Sequence, residues 1–270
     1  MAAIHVGQGT VISLDIKDFF PSIKQWMVQE ALVSMGMGET PAVLLSELCT
    51  FKSYVPQGAL TSPKVSNLIT AGTFGPEVAE FCTEKGYQLS IYADDVTISF
   101  TSVELDGGRA QSSEAIRFVT ETLSKYRFKV NRAKTKIMLR HRRQWVCGAV
   151  VNDRVNLRRT ERARLKAIVH NCEQRGIEHE AQVSGKEPLS FIRVYAGRLN
   201  WFTQLNPDAG RKLLARFKAC ASTYTGGLGV EIPELSWNSS VEISLSPEDE
   251  NEERNLLPQN ENGADQPAPF

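Results

Sequence analysis

The stretch that most restricts how this chain can fold is Ile91-Tyr92-Ala93-Asp94-Asp95-Val96-Thr97-Ile98-Ser99-Phe100. Apolar, β-branched and aromatic residues flank two adjacent carboxylates, so residues 88–92 and 96–100 read as two strands of a tight hairpin with the acids at its tip. Neighbouring carboxylates repel, and a divalent cation is the usual remedy. A polar surface turn is the plainer alternative, because Asp is also favoured in turns. The hairpin alone leaves both readings open, and the rest of the chain has to decide between them.

A second carboxylate ends a second strand. Thr10-Val11-Ile12-Ser13-Leu14-Asp15 is an apolar run closed by an acid, which predicts a buried strand whose last residue emerges at an edge. If this strand lies beside the hairpin in one sheet, Asp15 joins Asp94 and Asp95. Three such acids can hold two divalent ions about 3.5–4 Å apart, an arrangement suited to in-line phosphoryl transfer. Carboxylates and phosphates favour Mg²⁺, with Mn²⁺ the alternative occupant.

Between these strands, Ser22 is expected to cap a helix running to about Met35. Pro41 opens another to Leu48, and a Pro- and Gly-rich loop, 54–63, leads into a helix from Ser62 or Pro63 to about Glu84. Beyond the hairpin, a turn at 106–108 precedes a helix over 112–126. Residues 128–138 read as strand, turn and strand, and 144–155 as a hairpin turning at Asn152-Asp153. Three helices follow, at 161–175, 188–205 and 208–222.

Charge divides the chain. Residues 241–270 hold eight acids and one base, which leaves 30 bases against 23 acids in residues 1–240. Fifteen Lys and Arg fall within 125–166, opposed only by Asp153 and Glu161. Such a segment is either a solvated face or a nucleic-acid footprint. Residues 239–270, acidic and rich in Asn, Pro and Gln, read as a disordered tail. Five scattered Cys without a C-x-x-C pair argue against a disulfide framework or a zinc site. With no apolar run of about 18 residues and no leader, no membrane partner is expected and the cytoplasm is the default location.

The sequences Leu14-Asp15-Ile16-Lys17-Asp18-Phe19-Phe20-Pro21-Ser22-Ile23, Pro56-Gln57-Gly58-Ala59-Leu60-Thr61-Ser62-Pro63-Lys64-Val65-Ser66-Asn67 and Tyr92-Ala93-Asp94-Asp95 resemble, in order and spacing, the palm motifs of reverse transcriptases. The similarity is greatest to the bacterial retron type. Ala2-Ala3-Ile4-His5 resembles the end of that type's N-A-x-x-H element, with Met1 where Asn is expected. Val146-Cys147-Gly148 resembles its V-T-G element, with Cys147 in place of Thr.

The resemblance implies an α+β fold: a polymerase palm of antiparallel sheet with packed helices (1–158), then a helical thumb (159–238), with the tail last. It implies RNA-directed DNA synthesis by a nucleotidyltransferase that binds magnesium through the catalytic acids Asp15, Asp94 and Asp95. Phe20 matches the bulky position that excludes a 2′-hydroxyl, Gln57 and Gly58 the loop beside the incoming nucleotide, and Lys134 the lysine near its pyrophosphate. The 145–155 hairpin resembles a primer grip. Arg132, Arg142, Arg143, Arg158 and Arg159 are the expected RNA contacts. Expected partners are a structured non-coding RNA serving as template and primer, nascent DNA and deoxynucleotides, and a role in antiviral defence with an effector protein comes with the resemblance. Only fourteen residues precede Asp15, where the family has a fingers region. The expectation is therefore of fingers supplied by another polypeptide, a fragment, or a non-catalytic RNA-binding remnant. An RNA-templated RNA polymerase is disfavoured by Phe20 and by Tyr92-Ala93.

Overall fold

A computed structural model describes residues 1–102 and 105–227. The acidic tail expected at 239–270, and residues 228–238 of the expected thumb, lie outside the described residues. Around a four-stranded antiparallel sheet the chain runs β1 (Thr10–Asp15), α1 (Phe19–Ser22), α2 (Gln25–Ser34), α3 (Glu39–Leu48), α4 (Ser62–Gly72), α5 (Phe74–Lys85), β2 (Gln88–Tyr92), β3 (Asp95–Phe100), α6 (Leu105–Lys125) and β4 (Lys136–Leu139). A two-stranded ribbon follows, β5 (Trp145–Val146) and β6 (Ala149–Val150). The helices α7 (Arg159–Arg175), α8 (Ile177–Val183), α9 (Pro188–Leu205) and α10 (Pro207–Gly227) complete the described chain.

Strand order is β2-β3-β1-β4, so β1 lies at the centre, antiparallel to β3 and β4. Alternation then gives the sheet two unlike faces. Ile12, Leu14 and Ile16 join Val96, Ile98 and Phe100 in the main core, packed under the helices with Phe19, Phe74, Val119 and Phe128. Ser13 and Asp15 stand opposite Thr97 and Asp95, with Val11 opposite Ser99, so the other face is largely polar. A 3₁₀ turn at Ala2–His5 and the β5–β6 ribbon lie against that face, with Val11 packing on Val146 and Val151. The later helices bury a core of their own, including Leu165, Val169, Phe191, Leu199, Phe202 and Phe217. Among the described residues, no helix is long and apolar enough to cross a membrane.

Several boundaries differ from expectation, each for a local reason. Ser22 closes α1 rather than opening a helix, because Ile23 and Lys24 are extended and Lys24 bridges to Tyr54. The helix expected over 62–84 breaks at Thr73, whose φ of −127° and ψ of −111° are not helical. Gly107 and Gly108 lie inside α6 rather than in a turn. Of the two strands expected over 128–138, only β4 forms, and Val130 makes one bridge to Ile16. The ribbon turns at Cys147-Gly148, not at Asn152-Asp153. Both turn residues have positive φ (46° and 79°), as a two-residue type I′ hairpin turn demands. Asn152 instead donates to the Arg140 and Arg142 carbonyls and accepts from the Gln144 amide. Helix α8 has no counterpart in the sequence reading.

Candidate active site

Asp15 closes the central strand, and in the β1–β3 ladder it stands directly opposite Asp95. Side chains so paired share one face of the sheet within about 5.5 Å at Cβ. The backbone fixes this end of β1 from both sides. Ile16 N–H donates to the Asp94 carbonyl (2.8 Å), and Asn131 N–H donates to the Asp15 carbonyl (2.7 Å). Ala93, at the hairpin tip, has φ 48° although it is not glycine, so the turn that presents the acids holds local strain.

The acids repel. Burial raises the Asp95 carboxyl to about 6, and the Asp94 and Asp15 carboxylates push in the same direction while Lys134 and Lys136 oppose them. Burial likewise raises Asp94, with Asp15 adding to it. Lys134, carried by the turn that starts at Asn131, places Nζ 3.2 Å from Asp15 Oδ2. That hydrogen bond, with the charge of Asp15, holds the ammonium above its ordinary range. Asp15, Asp94, Asp95 and Lys134 thus lie at one end of the central strand.

A cation has a plain electrostatic reason to bind here. The donors are three carboxylates, which suit a hard ion, and Asp95 is destabilised as an anion without one. Among the described residues, however, no three His, Cys, Asp or Glu side chains are grouped closely enough to hold a metal as they stand. The donor set fits Mg²⁺ chemically, and occupancy requires the side chains to close, with Lys134 yielding Asp15 Oδ2.

The remaining candidates lie at graded distance from this centre. Phe20 is half-buried, its ring centroid 5.7 Å from that of Phe19, which is buried in the main core. Gln57 and Gly58 are exposed in the loop before α4, and no hydrogen bond or ion pair among the described residues joins them to the acids. Gly58 has φ 90° and open space where a Cβ would stand. Arg132 lines a groove of about 470 Å³ along α6, together with Arg117. Arg142, Arg143 and Arg159 are exposed, and Arg158 lies half-buried with its guanidinium 4.1 Å from the Trp145 ring centroid. The ribbon turn is close to the acids: after burial, the charge of Asp95 helps hold the Cys147 thiol high.

One residue was not singled out for this site. His5 is fully buried on the polar face of the sheet, with Nδ1 2.7 Å from Ser99 Oγ and Nε2 2.8 Å from Ser90 Oγ. It ties β2 to β3 behind the acid-bearing tip. Serines at inward positions of two adjoining strands were the available signal, since buried hydroxyls need partners. Burial lowers His5 to about 4. The unfolded chain then takes up this proton from about pH 6.5 downward, and the folded chain only near pH 4. Stability from His5 is complete above pH 6.5 and lost between 6.5 and 4, by on the order of 3 kcal/mol. Urea unfolding from pH 7.5 to 4 checks this. The wild-type curve should fall more steeply than that of His5→Gln, and parallel curves would mean that His5 ionises in place.

The match to known proteins spans the region that holds these residues. The family described as reverse transcriptase (RNA-dependent DNA polymerase) matches residues 2–186. The chain belongs to the reverse transcriptase family. The retron Mx65 reverse transcriptase of Myxococcus xanthus is 34% identical over 237 residues, 80% of this chain and 51% of that protein. The retron Ec86 reverse transcriptase of Escherichia coli is 27% identical over 63% of this chain and 51% of its own length. These relatives bear out the retron-type resemblance of the motifs. The chain spans about half the length of the curated relatives it matches. An apo telomerase structure from Candida tropicalis aligns with 81% of this chain and 42% of its own, at 12% identity and a TM-score of 0.46.

Proposed function

We propose that this chain carries the palm (1–158) and thumb (159–238) of a retron-like RNA-directed DNA polymerase, extending a primer hydroxyl on a structured RNA template. The observation that carries the reading is the pairing of Asp15 with Asp95 across β1 and β3, with Asp94 at the adjoining turn and Lys134 on Asp15. Asp15, Asp94 and Asp95 would hold two Mg²⁺. When bound, such ions activate the attacking hydroxyl and neutralise charge at the transferring phosphoryl group.

The chain's own residues supply the positioning. Lys134 Nζ, paired with Asp15 in the free protein, is free to turn to an incoming triphosphate and hold a proton and a positive charge beside the leaving pyrophosphate. Phe20, braced by Phe19, offers a stiff ring that excludes a ribose 2′-hydroxyl by volume. Gly58 lets the backbone approach a nucleotide without a side chain in the way. The exposed arginines of 132–159 contact RNA phosphates irrespective of sequence.

A second reading, an RNA-binding protein without catalysis, is favoured by the acids not converging as they stand and by Lys134 neutralising Asp15. Primer extension on an RNA template in Mg²⁺, with and without a separately supplied fingers segment, decides between them. Extension in either condition supports the polymerase, and RNA binding without extension in both supports the second reading. Phe20→Ala should raise ribonucleotide incorporation relative to deoxynucleotide by about tenfold or more. An unchanged sugar preference would remove Phe20 from this role.

A further inference from the structure

Three aromatic rings, each with a cation over it, form a surface that the polymerase reading leaves unused. Arg127 stands over Trp26 (5.5 Å to the ring centroid), Lys24 over Tyr54 (5.6 Å) and Lys52 over Phe51 (5.4 Å). The surface is continuous. Lys24, Trp26 and Arg127 line one concavity of about 330 Å³, and Lys24 pairs with Tyr54, which pairs with Phe51. Trp26 and Phe51 are 48% and 59% exposed, so these rings do not serve the core.

The turn that carries Phe51 and Tyr54 places two residues other than Gly or Asn in the left-handed region. Phe51 N–H donates to the Tyr54 carbonyl and Tyr54 N–H to the Phe51 carbonyl, closing a two-residue hairpin. Its tip residues Lys52 and Ser53 have φ of 51° and 66°, where Asn-Gly would be relaxed. A Lys kept in a left-handed conformation at an exposed tip points to a use for that Lys.

We propose that this surface binds an unpaired segment of RNA, with bases stacked on Trp26 and Phe51 and phosphates held by Lys24, Lys52 and Arg127. Aromatic faces alternating with cations are what a single strand requires: every base has a face to stack, and every phosphate a charge to meet. A duplex, its bases already stacked, gains only the charge contacts. The balance of charge favours RNA over a protein partner, since Asp18 is the single acid lining the concavity. The surface begins three residues beyond Asp15, and an unpaired stretch of the template RNA is its natural occupant, which rests on the polymerase reading.

The test is fluorescence anisotropy of the full chain with a labelled 20-nucleotide oligouridylate and with a blunt 20-base-pair RNA duplex, without nucleotides. Trp26→Ala with Phe51→Ala should weaken oligouridylate binding about tenfold or more and change duplex binding by less than about twofold. Trp26→Tyr with Phe51→Tyr should restore oligouridylate affinity, and thermal denaturation of both variants should match the wild-type chain. Unchanged oligouridylate affinity in the alanine variant would overturn the proposal and leave the rings to a protein partner. Equal losses on both RNAs, or no rescue by Tyr, would also overturn it. A chain that binds oligouridylate through these rings yet extends no primer overturns the catalytic reading alone.

Discussion

Replacing Asp94 and Asp95 together by Asn is expected to lower primer extension by about three orders of magnitude or more, since metal stabilisation of the transferring phosphoryl group is worth several kcal/mol. RNA affinity should stay within about twofold, because no phosphate contact is lost and two negative charges are removed from the vicinity. The same substitution should stabilise the fold. The Asp95 carboxyl is raised to about 6 by burial and by its acidic neighbours, so its anion is less favourable folded than unfolded. A carboxyl raised in this way contributes stability below its unfolded value and loses it as pH rises towards 6. At pH 7.5 the penalty is fully present, at about 1–2 kcal/mol after allowance for solvent screening. Without divalent ions the Asn variant should therefore melt higher than the wild-type chain at pH 7.5, with the gap closing towards pH 4. Mg²⁺ should raise the melting temperature of the wild-type chain and leave the variant unmoved. A variant that loses RNA binding, or a wild-type chain indifferent to Mg²⁺, would overturn the metal-site account.

This trade of stability for charge explains why the site was legible in sequence. Two acids between β-branched residues are a poor choice for a hairpin that needs only to turn, and Asp15 closes its strand in the register that meets them. The apolar run of residues 10–15 and the β-branched and aromatic residues around Asp94-Asp95 placed β1, β2 and β3, and their register is firm because a one-residue slip would turn Ile12, Leu14 and Ile16 out of the core. The helices were harder to bound. Ser22 looks like a cap, but the Lys24–Tyr54 bridge draws the segment after it into extended backbone. The break at Thr73 is flanked by Gly72, Gly75 and Pro76, residues that interrupt helices, and Gly75 passes so close to Thr70 that a Cβ there would sit 2.5 Å from its carbonyl oxygen. Asn152-Asp153 has the composition of a turn, yet the two strands close at Cys147-Gly148 because the Asn152 side chain is spent on the Arg140 and Arg142 carbonyls. His5 was hard to place, since its partners Ser90 and Ser99 are 85 and 94 residues away and inward serines do not say which side chain meets them.

Gly9→Ala should be strongly destabilising, and its cost is steric. Gly9 precedes the central strand, at the end opposite Asp15. A Cβ there would lie 2.2 Å from the Ser102 carbonyl oxygen and 2.7 Å from that of Thr101. Both obstacles are backbone, so no rotamer relieves them. The Gly9 carbonyl also accepts from Arg140 N–H (2.9 Å), which restricts a shift towards β4. Relief therefore requires β1 and β3 to separate at this end, in the pair whose register sets Asp15 against Asp95. The expected loss is about 3 kcal/mol, or roughly 6–12 °C in melting temperature for a chain of this size. Gly86→Ala is the matched control. Gly86 has φ 69° at the end of α5, with nothing within 4 Å of the added carbon. It should cost only about 1 kcal/mol, through backbone conformation alone. If the two variants melt together, contact between the Gly9 backbone and the strand end after β3 does not set the register. If Gly9→Ala melts far below Gly86→Ala and Phe20 keeps its sugar preference in the folded fraction, the clash acts on stability and leaves the nucleotide side of the site intact.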